Sequence, residues 1–124
     1  MMYGEIWWID FGEPFGSEAG YKRPALVVQN DILNSTKMNT VIVAPITSNL
    51  ALSNMAGNVF LSSKDSNLKK DSVILVSQLV AADRQRFHEK VSEITAKRII
   101  NEINDGLSFV LNMDFPSNEI FFAY

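Results

Sequence analysis

The sequence predicts a small, mainly β fold of the α+β kind, a sheet or barrel of short strands followed by one C-terminal helix. Two patterns carry that reading. Through residues 4–79, apolar runs of strand length alternate with segments rich in Gly, Pro, Asn, Asp and Ser, and from Thr95 onward the apolar residues switch to helical spacing. Composition sets the scale. A chain of 124 residues, 47% hydrophobic and 20% charged, has the proportions of one domain and enough apolar side chain to bury a core without staples. The expectation is therefore a single domain over residues 1–124: a barrel over about 3–93, a helix over about 95–112 and an apolar tail over 113–124.

Each element has a local reason. Residues 4–11, with Ile6, Trp7, Trp8, Ile9 and Phe11, read as the first strand. Residues 12–20 hold three glycines and a proline, too many for a strand or helix interior, and read as a flexible loop. Residues 24–28 are apolar and rich in valine, with Pro24 at the first strand position, where a missing N–H is tolerated. Asn30 and Asp31 can open a single helical turn, and residues 40–46 form a third strand in which Pro45 implies an edge or a bulge. Residues 57–61 make a weaker strand, 62–70 a polar loop and 71–79 another buried strand. In the helix, Ile99, Ile103, Leu107 and Val110 or Leu111 share one face, and Thr95 is the expected N-cap. The last five residues, Ile120-Phe121-Phe122-Ala123-Tyr124, are apolar enough to require docking on this chain or a partner.

Residue types exclude much chemistry. With no cysteine there is no disulfide framework, thiol nucleophile or thiolate metal site, and a single histidine, His88, removes the common zinc sets. The N-terminal segment has an acid and no basic region, and no apolar run reaches membrane length, so a cytoplasmic location without membrane association is expected. A net charge of −3 argues against a protein that coats nucleic acid by bulk charge. It leaves room for a local basic groove, because Lys22, Arg23, Lys64, Lys69, Lys70, Arg84 and Arg86 sit in or beside expected loops.

The residues that could do chemistry fall in three segments. Ser17, Glu18, Lys22 and Arg23 place a hydroxyl, a carboxylate, an ammonium and a guanidinium at the mouth of a strand, a set suited to phosphate chemistry or simply to solvation. Thr47, Ser48 and Asn49 end the third strand, where hydroxyls hold a phosphate oxygen or cap the turn. Gln78 interrupts an apolar strand and needs partners if buried. His88 reads as an exposed imidazole; Trp7 and Trp8 face opposite sides of a strand, so at least one belongs to the core. No phosphate loop, paired-acid metal site or Ser-His-Asp order is present, which leaves metal-free RNA cleavage by the substrate's own 2′-OH as the phosphate reaction this inventory can serve.

Taken together, the segments resemble the MazF/PemK family of toxin endoribonucleases. The resemblance lies in Gly4-Glu5-Ile6-Trp7-Trp8-Ile9-Asp10-Phe11, in Gly16-Ser17-Glu18 followed by Arg23-Pro24-Ala25-Leu26-Val27-Val28, in Val43-Ala44-Pro45-Ile46-Thr47-Ser48, and in the run from Asp71 to Leu79 with Asp83-Arg84. It covers about residues 4–111 in order. It implies an SH3-like small β-barrel of the CcdB/PemK type with a C-terminal α-helix, a homodimer, and single-stranded mRNA held along the dimer groove. It also implies a cognate antitoxin whose acidic, partly disordered tail occupies that groove, and it implies no cofactor and no metal. By position, Arg23 would stabilise the phosphorane and donate a proton to the leaving group, Thr47 would bind the scissile phosphate, and Glu18 would be the general base. Ser17, Lys22, Ser48 and Gln78 would position RNA. Three positions depart from the family pattern: Ala19 stands where a glutamine is frequent, Ser77 where some relatives have an acid, and Val80 where many have an arginine.

The leading expectation is thus a toxin of a toxin–antitoxin pair. It would cut mRNA without a metal, leaving 2′,3′-cyclic phosphate and 5′-OH ends, and so inhibit translation. Base choice would lie in the loops at residues 12–22, 49–56 and 62–70. Two other readings compete: a CcdB-like barrel that binds gyrase, and a barrel without catalysis that serves as a binding module.

Overall fold

The computed structural model describes residues 1–113, and the apolar C-terminal residues 120–124 lie outside them. Seven strands and three helices follow one another as β1 (Glu5–Asp10), β2 (Lys22–Val27), α1 (Asp31–Asn34), β3 (Thr40–Thr47), β4 (Val59–Leu61), α2 (Ser63–Ser66), β5 (Ser72–Ile74), β6 (Val80–Asp83), β7 (Phe87–Glu93) and α3 (Lys97–Val110). Single 3₁₀ turns occupy Leu50–Asn54, Val76–Gln78 and Arg84–Arg86. The sheet is antiparallel in the order β4-β5-β3-β2-β1-β7, with β6 also paired to β3. The mainly β class with a C-terminal helix is as expected, but the ladder does not close: β4 and β7 are its two ends.

The near-continuous apolar composition of the central strands has a direct cause, because both faces are covered. Leu26, Ala44 and Ile46 point to one core with Ile6, Leu61 and Ile74, while Ala25, Val27, Val41 and Val43 point to the other with Ile9 and Ala82. Pro45 sits where β3 changes partner: Thr40 to Val43 pair with β6, and Ile46 and Thr47 pair with β5. At that switch no neighbouring strand asks for its N–H, which is how a proline stays inside a long strand. Pro24 is the third residue of β2, not the first, and it lies one residue beyond the β2–β3 ladder.

Three further expectations need correction. Residues 71–79 are not one strand. Leu75 donates its N–H to the Pro45 carbonyl at 2.8 Å, the ladder stops, and Val76–Gln78 turn as a 3₁₀ helix toward β6. Buried Leu75 and Val76 made the run look like a strand, since hydrophobicity reports burial and not pairing. Second, residues 80–83 and 87–93, to which the sequence pattern assigns no strand, form β6 and β7; β7 is mostly polar, with His88, Glu89 and Lys90 exposed, the pattern of a protected sheet edge. Third, Thr95 does not cap α3: the N-cap is Ala96, with no side-chain cap bond. Ile94 is buried and its N–H is held by the Gly4 carbonyl at 2.8 Å, which fixes where the helix begins. Burying Ile99 and Ile103 contributes roughly 1.5–3 kcal/mol each, against ~1 kcal/mol for a cap, so packing decides this helix.

Candidate active site

The neck of the loop between β1 and β2 aims the first candidate residue. Tyr21 adopts a left-handed φ of 58°, its N–H donates to the Gly12 carbonyl, and its carbonyl accepts from Phe11 N–H at 2.9 Å. Gly20 is a glycine for a steric reason: a β-carbon there would lie 2.4 Å from the Pro14 ring. The Gly20 carbonyl then receives the Nε–H of Arg23 at 3.1 Å, the only hydrogen bond of the Arg23 side chain among the described residues. Among the described residues no carboxylate pairs with it, which leaves the terminal guanidinium nitrogens available.

Arg23 lines a cleft of about 610 Å³ shared with Lys22, Thr47, Ser48, Lys69 and Lys70. Thr47 ends β3; its Oγ1 accepts the Asn49 N–H at 3.2 Å, leaving its own O–H as a donor toward the cleft. Strand pairing explains the meeting of Arg23 and Thr47. β2 and β3 run antiparallel with Ala25 opposite Pro45, so Arg23 and Thr47 each lie two residues beyond that pair, at one end of the ladder. Among the described residues four cations and no carboxylate line the cleft, a local positive field on a chain whose net charge is −3.

Ser17, Glu18 and Gln78 are brought together elsewhere. They line a separate hollow of about 440 Å³ with Phe11, Glu13, Ala19, Leu79 and Val80. Gln78 is half-buried in a 3₁₀ turn and does not interrupt a strand. Ser77 is structural, donating through Oγ to Asn58 Oδ1 at 2.9 Å. His88 is exposed on β7, as expected. The tryptophans also divide as expected: Trp7 packs edge-on against Phe87 with ring centroids 5.8 Å apart, whereas Trp8 faces the Arg23 cleft.

Of the seven loop cations, four reach the cleft and two do not because carbonyls hold them. Arg84 donates to the Met38 and Asn34 carbonyls at 2.6 and 2.9 Å, and Arg86 to that of Asp10 at 3.0 Å. The sequence reading did not single out Asn67, which also lines the cleft and has a left-handed φ of 61°. An Asn in a polar loop was its only signal. Away from the cleft, Glu5 is almost fully buried. Burial alone would raise its carboxyl, but hydrogen bonds from the Trp7 indole and the Met2 amide, with Lys90 beside it at 3.2 Å, outweigh that and hold it below the usual range.

Residues 2–111 match the family described as PemK-like, MazF-like toxin of type II toxin–antitoxin system. The chain belongs to that family. Among relatives of this PemK/MazF chain, Endoribonuclease MazF6 of Mycobacterium tuberculosis is 41% identical over 109 residues, covering 88% of this chain and 95% of that protein. Endoribonuclease EndoA of Bacillus subtilis is 32% identical over 108 residues, covering 87% and 91%. The crystal structure of MazF from Deinococcus radiodurans superposes with a TM-score of 0.74 at 26% identity, covering 91% of this chain and 97% of that one. A mycobacterial endoribonuclease in complex with its cognate antitoxin shares the fold, with a TM-score of 0.74 at 19% identity over 94% and 99% of the two chains. Among the described residues, no helix of this family member is long and apolar enough to cross a membrane.

Proposed function

We propose that this chain is a toxin endoribonuclease that cleaves single-stranded mRNA in the cytoplasm, without a metal, and is held in check by a cognate antitoxin. The observation that carries the reading is the cleft in which Arg23 and Thr47 meet among Lys22, Lys69 and Lys70, with no carboxylate among its described lining residues. A polyanion is the natural occupant of such a groove. In the reaction, the 2′-oxygen of one nucleotide bonds to the adjacent phosphorus, the bond to the 5′-oxygen breaks, and the products are a 2′,3′-cyclic phosphate and a 5′-OH.

The free edge of the Arg23 guanidinium donates to the non-bridging oxygens as their charge grows. Its contribution is charge stabilisation, and the departing 5′-oxygen takes its proton from water, which narrows the role the resemblance implied. The Thr47 hydroxyl and Ser48 hold the scissile phosphate, and Lys22 a neighbouring one. Glu18 accepts the 2′-OH proton, and Ser17 and Gln78, which share its hollow, position the strand on that side. An acidic, partly disordered antitoxin tail would satisfy the same cations, so antitoxin and RNA compete.

The chain acts as a homodimer in this reading. In support, β6 pairs only with β3 among the described residues, and beside its open edge lies an apolar groove of about 560 Å³ lined by Ile42, Leu79, Val80, Leu107, Leu111 and Met113. The test of function is to incubate the protein with a long single-stranded RNA in excess EDTA and map the fragment ends. Discrete cuts with cyclic phosphate ends support the proposal; intact RNA turns attention to gyrase or another binding target.

A further inference from the structure

Three loops are candidates for reading bases, and only one of them reaches the cleft with more than a single cation. Residues 12–22 contribute Lys22, residues 49–56 contribute nothing, and residues 67–70 contribute Asn67, Leu68, Lys69 and Lys70. That last turn is held on every side. Ser62 caps α2 through Asp65, and Asp65 is bridged to Arg98 of α3 at 3.1 Å. The Ser66 carbonyl accepts from the Ser92 hydroxyl, its Oγ accepts the Leu68 N–H at 3.0 Å, and Ser72 Oγ donates to the Lys70 carbonyl at 3.1 Å. Leu68 packs on the core. A recognition surface fixed before binding loses little entropy when it is occupied.

Besides the lysines and Ser48, two side chains that line this cleft have no hydrogen-bond partner among the described residues: the exposed Asn67 carboxamide and the Trp8 indole N–H. A carboxamide offers both a donor and an acceptor, the pattern that distinguishes base edges, and an indole offers a π-face. Building on the proposed RNA cleavage, we infer that the turn at residues 67–70 is the specificity-determining element. A base flanking the scissile phosphate stacks on Trp8, Asn67 reads its edge, and Lys69 and Lys70 hold the adjoining phosphates.

The test compares the cleavage-site preferences of wild type, Asn67→Gly and Asn54→Ala on one transcript pool. Glycine keeps the left-handed backbone and removes only the carboxamide, so folding is spared. The expected result is loss of base preference at one position beside the cut in Asn67→Gly, with the wild-type pattern retained in Asn54→Ala, which lies outside the cleft. A companion measurement uses an RNA with 2′-deoxyribose at the cut, which binds but cannot react: Trp8→Ala should weaken it on the order of tenfold or more, and Trp8→Phe should restore most of that. Unchanged base preference in Asn67→Gly while cleavage persists overturns this inference and leaves the nuclease intact. Absence of cleavage by wild type overturns both.

Discussion

Gly57 and Gly106 touch backbone to backbone, so that a β-carbon on Gly106 would lie 2.3 Å from the Gly57 carbonyl oxygen. This contact lets α3 settle against the turn before β4. Alanine at Gly106 would gain about 1 kcal/mol of helix propensity. The clash is with backbone that cannot rotate away, and overpacking costs ~1–3 kcal/mol or more. Gly106→Ala should therefore lower the denaturant midpoint; an unchanged or raised midpoint would show that the turn yields freely.

Glu18 faces a hollow distinct from the Arg23 cleft, which makes its proton-accepting role the sharpest part of the mechanism to test. General base catalysis contributes about 10²–10⁴-fold, so Glu18→Gln should cut single-turnover cleavage by at least a hundredfold. A loss of only a few-fold would reduce Glu18 to a contact at the rim.

Stability should fall in acid for a stated reason. The carboxyls of Glu5 and Asp31 are both held below their ordinary values, Asp31 chiefly by the Tyr3 backbone N–H at 2.7 Å, then by the Asn34 amide. A lowered folded pKa means that the stabilisation is complete above the unfolded value, near pH 4–4.5, and is lost as pH falls through the folded one. Tm should be level from pH 7 to about 5 and decline below about 4. Glu5→Gln should flatten part of that decline; an identical slope in the variant would remove Glu5 from the account.

Val80 lies on the open edge of β6 and is 38% exposed beside the apolar groove. A charge there would have to be desolvated in a dimer, so Val80→Asp should convert a dimer to a monomer by light scattering. A wild type that is already monomeric, or a variant that stays dimeric, would place the interface elsewhere or remove it.

What the sequence revealed and what it hid follow from sequence distance. Arg23 and Thr47 were readable because each ends an apolar strand, and antiparallel neighbours bring strand ends together. Lys69 and Lys70 were legible only as loop cations and Asn67 not at all, since their place beside Arg23 depends on the Asp65 bridge to Arg98 and on Ser92, contacts spanning 33 and 26 residues. β7 was hidden for another reason. Its side chains are mostly polar, and what makes it a strand is its ladder with β1, from Glu5 opposite Glu93 to Ile9 opposite Phe87.

The central claim is that Arg23 carries charge stabilisation without carrying the fold, and one paired measurement addresses it: single-turnover RNA cleavage and thermal unfolding of wild type and Arg23→Ala, side by side in EDTA. With one side-chain hydrogen bond, to Gly20, and no ion pair among the described residues, the substitution should leave Tm nearly unchanged while cleavage falls about a hundredfold or more. Cleavage retained, or lost only together with a large drop in Tm, would contradict the account.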